Sequence, residues 1–309
     1  MKSFSLVCLF AGAALLPAFG QKAGPFSGRW DLAVTPKVAT VKAYPDWMEV
    51  GVKDGATAVR IQPRSGSAFY ARQVKVAGMH LSLQWENGTT TWDLDVKDGK
   101  LTGVEKRGAD VFADLAGVRA PLLKRNPPTA WTAAEPIFNG KDLNGWEPTN
   151  PALANRWTVK GGELVNEAKG ANLQTTRKFD DFKLHIEFNC PEEGNSGIFL
   201  RGRYEVQVEY EKVDANDKFH SIGSVYSMLA PSVELPRMPG KWEGFDITLV
   251  GRWLTVVRNG VRTIDNQEIA GTTGGALDSN EGEPGPFFIQ GDHTGGMKYR
   301  NITVQVPKK

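Results

Sequence analysis

The dipeptide Asn259-Gly260 stands between two alternating apolar runs, "WLTVVR" and "VRTI". Asn and Gly tolerate the positive φ that a two-residue hairpin asks of both central positions, so this stretch commits the chain to antiparallel pairing. Asn87-Gly88 and Asp98-Gly99 repeat the signal between "MHLSLQW", "TTTWDLDV" and "KLTGVEK". Further alternating segments follow, among them "GRWDLAV", "FKLHIEF", "SGIFLR", "YEVQVEY", "GSVYSML", "FDITLVG" and "YRNITVQV". Almost none of the chain shows a sustained 3.6-residue period, so the expected class is all-β. Thirty-four glycines and nine tryptophans suit a protein rich in turns and aromatic-bearing strands.

The chain divides on composition. Residues 1–20 begin with Lys2, continue as an apolar run and end in the small residues Ala18 and Gly20, the pattern of a secretory signal peptide. A periplasmic or secreted protein starting near Gln21 is therefore expected. No later apolar run approaches the ~20 residues of a membrane span, so no membrane anchor is expected. Residues 21–122 read as a small all-β domain, a barrel or sandwich, with Trp30 in its core. Pro127 and Pro128 mark a linker over 123–134, and a second all-β domain, a sandwich, occupies 135–309. Cys8 leaves with the signal, so Cys190 remains without an internal disulfide partner. Thirty-seven basic residues against 35 acidic ones give +2, and loss of Lys2 makes this +1. Such a balance gives no reason to expect nucleic acid as a partner.

"YEVQVEY" raises the first chemical question. Period two puts Tyr204, Val206, Val208 and Tyr210 on one face and Glu205, Gln207 and Glu209 on the other. The second set is either solvated strand surface or a row of acid/base groups. Glu205 and Glu209 stand ~13–14 Å apart at Cα from the strand rise. A glycosidase pair needs carboxyls within about 5–9.5 Å, so these two would have to lean over Gln207. Upstream, "EGNSGIFLRG" places Asn195 in a turn and ends a strand at Arg201, where a tight hairpin would bring the guanidinium beside Glu205, as an ion pair or as a fork for an oxyanion. His293 lies in the Gly-rich loop "QGDHTGG", suited to binding or proton transfer or simply exposed. His185 and Glu187 alternate outward on "FKLHIEF", while His80 and His220 have no informative neighbours. No HExxH or paired-Cys pattern occurs, and no cofactor is expected. The acidic loops "DANDK" and "DSNEGEPG" offer oxygen ligands for calcium without the calcium-loop spacing.

Taken together, "PIFNGKDLNGW", "WTVKGGELV", "FDDFKLHIEF", "GNSGIFLRG", "YEVQVEY", "GSVYSMLAP", "PGKWEGFDI", "VVRNGV" and "IQGDHTGGMKYRNITV" occur in an order that resembles the 3-keto-disaccharide hydrolase family, also described as 3-keto-glucoside lyases and hydratases. The resemblance runs from about Pro136 to Val306. It implies a concanavalin-like jelly-roll sandwich, an exported location and a 3-keto sugar or glycan as substrate. A C3 carbonyl acidifies the C2 hydrogen, so a base can remove it and the C1 substituent can leave by β-elimination, with or without later hydration. On that chemistry Glu205 is the expected base, Arg201 and Gln207 hold the enolate, and His293 assists the leaving group. Glu209, Asn195, Glu187 and Trp242 would bind the sugar, the Trp by stacking. Structural roles for Asn195 in its turn and Trp242 in the core stand beside these. The loops "LPRMPGKW" and "TTGGALDSNEGEPG" exceed what the resemblance accounts for.

Two other classes fit the same residues. A lectin-like module would use the row for binding without turnover, and an ordinary glycoside hydrolase would act on unoxidised sugars, since fold does not assign reaction. No Gly-rich dinucleotide turn is present, so the oxidation that makes a 3-keto sugar is expected from a partner oxidoreductase.

Overall fold

The computed structural model describes residues 21–211 and 217–308. The signal-peptide expectation for residues 1–20, and most of "DANDK", lie outside the described residues. Two hydrophobic cores organise the chain, one on each side of the proline-containing stretch.

The first core sits inside a nine-stranded antiparallel sheet. Its first strand, Gly28–Pro36, pairs with Tyr44–Lys53 on one side and with Asp110–Arg119 on the other. The two ends of the sheet, Phe69–Tyr70 and Arg72–Ala77, are consecutive in sequence. Ala71 between them donates its N–H to the carbonyl of Val59 at 2.8 Å, so the sheet comes round on itself as a barrel. Trp30, Leu32, Met48, Val50, Ile61, Leu81 and Trp92 fill the interior, and the Trp30 indole N–H reaches Phe26 O at 2.8 Å. Asp98-Gly99 forms the expected tight turn, with φ of 49° and 73°. Asn87-Gly88 does not. Only Gly88 has positive φ, and the Asn87 carboxamide instead accepts from the N–H groups of Thr89 and Thr90, a side-chain capped loop.

The second core lies between sheets of eight and five strands, both antiparallel, which form the expected jelly-roll sandwich. The larger sheet runs through Trp157–Lys160, Glu163–Asn166, Lys298–Gln305, Phe182–Asn189, Trp242–Val250, Trp253–Arg258 and Val261–Glu268, with Glu135–Pro136 alongside. The smaller runs through Trp146–Pro148, Leu173–Thr175, Phe288–Ile289, Asn195–Leu200 and Tyr204–Glu209, so "YEVQVE" is an edge strand. Its alternation is the one read from sequence: Tyr204, Val206, Val208 and Tyr210 are buried in the core between the sheets. Burying one such side chain contributes roughly 1.5–3 kcal/mol, which fixes the register because a one-residue slip would turn all four outward.

"GSVYSML" is not a strand. Its residues form turns that lie along the free edge of Tyr204–Glu209: Gly223 N–H donates to Gln207 O at 2.8 Å, Gln207 N–H to Ser224 O at 3.0 Å, and Tyr226 N–H to Glu205 O at 3.0 Å. The exposed edge is thereby satisfied and closed to further pairing.

The barrel and the sandwich are fastened together. Trp47 belongs to a barrel strand but packs into the sandwich core, against Gly271, where a Cβ would come within 2.2 Å of the indole nitrogen. Arg29 pairs with Glu268 at 2.6 Å, and Gly275 N–H donates to Arg64 O at 2.8 Å. Among the described residues no helix is long and apolar enough to cross a membrane.

Candidate active site

Glu205, Gln207 and Glu209 leave the smaller sheet on its outer face, yet each is no more than 5 % exposed. This is not a solvated strand surface. The row floors a cavity of about 640 Å³ whose walls come from the Asp292-His293 loop, from Asp217, His220 and Tyr226, from Gly274-Gly275, and from Ser65-Gly66-Ser67 of the barrel. That volume falls in the range that encloses a small organic ligand.

Local packing explains how Glu205 sits. On the neighbouring strand Phe199 is opposite Glu205 and Gly197 is opposite Gln207. A Cβ at Gly197 would stand 2.1 Å from Glu205 Oε1, so the carboxyl occupies the space that a side chain at 197 would take. Phe199 stacks on Phe288 at 3.8 Å and forms an apolar flank. No described residue hydrogen-bonds the Glu205 carboxyl. Burial, reinforced by the charges of Glu209 and Asp292, pushes its pKa well above the usual carboxylate range. Glu209 accepts a hydrogen bond from Gln207 Nε2 at 3.0 Å. Burial and then Glu211 raise its pKa to about 7, against the lowering effect of that hydrogen bond. Asp292 goes the other way: burial would raise it, but His293 Nδ1 at 2.8 Å holds it below its ordinary value.

The pocket is therefore rich in acceptors. Gln207 Oε1, Glu209 Oε1 and Gln290 Oε1 are buried and accept nothing from the described residues. Each such orphan costs about 1–3 kcal/mol, a cost that a ligand bearing hydroxyl donors would offset. Among the described residues no Lys or Arg lines the cavity.

Of the residues singled out in the sequence, Glu205, Gln207, Glu209, Asn195 and His293 line this one cavity. Arg201 does not. It sits with φ of 52° in the Arg201-Gly202 turn, and that left-handed conformation swings the guanidinium away from Glu205 toward Tyr204 Oη at 3.3 Å, Gly251 O at 2.6 Å and Asp180 at 3.1 Å. Glu187 and Trp242 are also elsewhere, on the outer face of the larger sheet with the whole core between them and the cavity. There Glu187 accepts from Arg300 at 2.6 Å and Asn301 at 2.8 Å, and the Arg300 guanidinium covers the Trp242 ring at 3.9 Å. Trp242 is thus neither in the sugar pocket nor in the core. Two of the three carboxylates of "DSNEGEPG" are engaged as well: Asp278 accepts from Arg203 Nε at 2.7 Å, and Glu281 is buried against Arg252.

Sequence reasoning missed His220, Asp217 and the barrel serines. Asp217 binds His220 Nδ1, and Ser67 Oγ binds His220 Nε2 at 2.6 Å. The three-residue spacing of Asp217 and His220 was a local signal for that pair. Nothing local ties Ser67 to a histidine 153 positions away.

An antiparallel sandwich that carries a polar, acceptor-lined pocket on one sheet defines a class of site suited to polyhydroxylated ligands. Residues 133–305 match the 3-keto-alpha-glucoside-1,2-lyase-like domain family, which is more than half of the chain, and the chain belongs to that family. It is similar to a 3-keto-disaccharide hydrolase of Bacteroides thetaiotaomicron, 30 % identical over 96 residues that span 28 % of this chain and 32 % of that protein. Among solved structures it is similar to a proposed glycosyl hydrolase from Parabacteroides distasonis, with a TM-score of 0.49 and 30 % identity over 59 % of this chain and 92 % of that one. A carbohydrate-binding module from Bacillus subtilis aligns with a TM-score of 0.34 and 14 % identity over 52 % of this chain and 94 % of the module.

Proposed function

We propose that this protein is an exported enzyme that cleaves 3-keto-glycosides by removing the C2 proton and expelling the C1 substituent. The observation that carries the reading is the separation of two buried carboxyls on one pocket floor, Glu205 pushed well above the usual range and Glu209 to about 7. Paired groups driven to different pKa values divide into an acid and a base.

Glu209 is the better base, because it ionises near neutral pH and Gln207 fixes its orientation. Glu205, whose protonated form burial favours, donates its proton as a hydrogen bond to the C3 oxygen as enolate charge develops there. This exchanges the roles read from the sequence, where Glu205 was the expected base. It also replaces Arg201, whose guanidinium is held away from the pocket by Tyr204, Gly251 and Asp180. His293, braced by Asp292 through Nδ1, serves the departing oxygen, while Asn195, Gln207 and Gln290 receive ring hydroxyls. Electrons balance simply: the C2–H pair becomes the C1–C2 double bond and the C1–O pair leaves with the proton that His293 supplies. Water re-adding to that double bond would give net hydrolysis. The substrate must arrive already oxidised at C3, from a sugar oxidoreductase.

Deuterium at C2 of a 3-keto-glucoside tests the step. The reading requires a primary isotope effect on turnover and exchange of the C2 position with solvent; turnover without either would sink it.

A further inference from the structure

We infer that the barrel domain is part of the substrate site, and that Ser67 binds the departing sugar of a 3-keto-disaccharide. The inference rests on the reading above for the identity of the substrate. It concerns a wall that lies outside the family domain, which spans residues 133–305.

Ser65, Gly66 and Ser67 border the same cavity as Glu205 and Glu209. Their loop is held in place from both sides. Gln62 Nε2 donates to Gly66 O at 2.8 Å within the barrel, Ala68 N–H donates to Ser227 Oγ at 2.8 Å across to the sandwich, and a Cβ at Gly274 would lie 2.6 Å from Gly66 O. A wall so fixed loses little freedom when a ligand meets it. The Ser67 hydroxyl is oriented too. Asp217 accepts from His220 Nδ1, which leaves Nε2 as the acceptor for Ser67 Oγ–H. Tyr226 Oη lies 3.4 Å from Ser67 Oγ and takes one of its lone pairs, and the other remains for a donor, the same polarity as the orphan acceptors of Gln207 and Gln290. Tyr226 meets the His220 ring edge-on at 4.6 Å and adds a second hydroxyl and an aromatic face to this wall. The elimination itself uses one ring above the Glu205–Glu209 floor. A cavity of about 640 Å³ has room for more than that ring, and the barrel supplies one hydroxyl-bearing wall of it.

The test compares full-length protein with its Ser67→Ala and Ser67→Thr variants on a 3-keto-disaccharide and on nitrophenyl 3-keto-glucoside. Losing one oriented hydrogen bond predicts a KM about ten-fold higher for Ser67→Ala on the disaccharide, since ~1.4 kcal/mol is ten-fold. The nitrophenyl substrate should change less than about two-fold, kcat should hold for both, and Ser67→Thr should restore the disaccharide KM. Equal changes on both substrates, or none, would overturn the inference. If the wild-type protein turns over neither compound, the catalytic reading fails separately. Calorimetric binding of the unoxidised disaccharide then decides: weaker binding by Ser67→Ala with glucose binding unaltered supports the wall, and equal binding of the disaccharide overturns it.

Discussion

The two outer faces of the sandwich carry the same kinds of residue and put them to opposite use. On the larger sheet, His185, Glu187, Asp246 and Arg300 stand in the open, and each carboxylate has its cation or donor: His185 Nδ1 lies 2.7 Å from Asp246, and Arg300 and Asn301 hold Glu187. Burial would raise Glu187, but those two hydrogen bonds win and keep it below its ordinary value. On the smaller sheet, Glu205 and Glu209 are covered by loops from both domains and form no ion pair with a described residue, and the charge of Arg237 is too weak an influence to keep Glu209 from being raised along with Glu205. Alternation selects which residues leave a sheet; cover and pairing decide whether they become chemistry. Outward carboxylates that are paired are structural, and outward carboxylates that are roofed over unpaired are stored reactivity.

Exchanging charge for amide on each face should break the comparison most sharply. Glu209→Gln is expected to lower kcat/KM on a 3-keto-glucoside by about 10³-fold, the scale of a lost general base, while Glu187→Gln leaves it within about two-fold. Comparable losses in steady-state assays of the two variants would erase the distinction. Next in size is the neutral partner. Glu205→Leu should cost roughly 10²-fold in kcat, whereas Glu205→Gln, which still donates a hydrogen bond, should keep most of it. A Gln variant as inactive as Leu would mean that Glu205 must ionise, and would restore it as the base.

Stability against pH sharpens the same contrast. Glu209 has a raised folded-state pKa, so its neutral form is favoured in the native protein. Its contribution is intact below the ordinary carboxylate value, and is lost as pH rises from there to about 7, where the unfolded chain has ionised and the folded one still holds its proton. Denaturant titrations between those limits should show falling stability, by a few kcal/mol from the order of one pKa unit per ~1.4 kcal/mol, and Glu209→Gln should make the slope shallower, leaving the part that Glu205 contributes with the same sign. Glu187 has the opposite sign, so its contribution is present above the ordinary value and fades under acid. The smallest effect belongs to that surface pair. Arg300→Ala should cost about 0.5–1 kcal/mol in denaturant titration and leave turnover unchanged.

Strand identity was legible because it is written locally. Period two placed the Glu205 row opposite its apolar partners, and Asn259-Gly260, with φ of 50° and 79°, forms the hairpin that the dipeptide promised. His293 was legible as a residue of a Gly-rich loop, whereas Asn195, read in a turn, opens the strand Asn195–Leu200 and pairs with Glu209. The misplacements share a cause. Arg201 was placed by counting residues round a turn, but a single left-handed φ sends its side chain to the other side. Glu187 was read as outward-facing, and Trp242 was given to the pocket through the resemblance, without knowing which of the two sheets either faced out from. That assignment depends on the order of strands in the sandwich, and no alternation pattern carries it. Ser67 and His220 meet only because two domains dock, a contact specified by Trp47 against Gly271 and by Arg29 with Glu268. Cover, the property that makes the site, is therefore the part least visible in the strand that bears it.

The most direct measurement is nitrophenol release from nitrophenyl 3-keto-glucoside and from the unoxidised glucoside, by the wild-type protein and by Glu209→Gln. The account predicts turnover of the keto substrate alone, lowered about 10³-fold in the variant. Cleavage of the unoxidised glucoside at a similar rate, or a fully active Glu209→Gln, would contradict it.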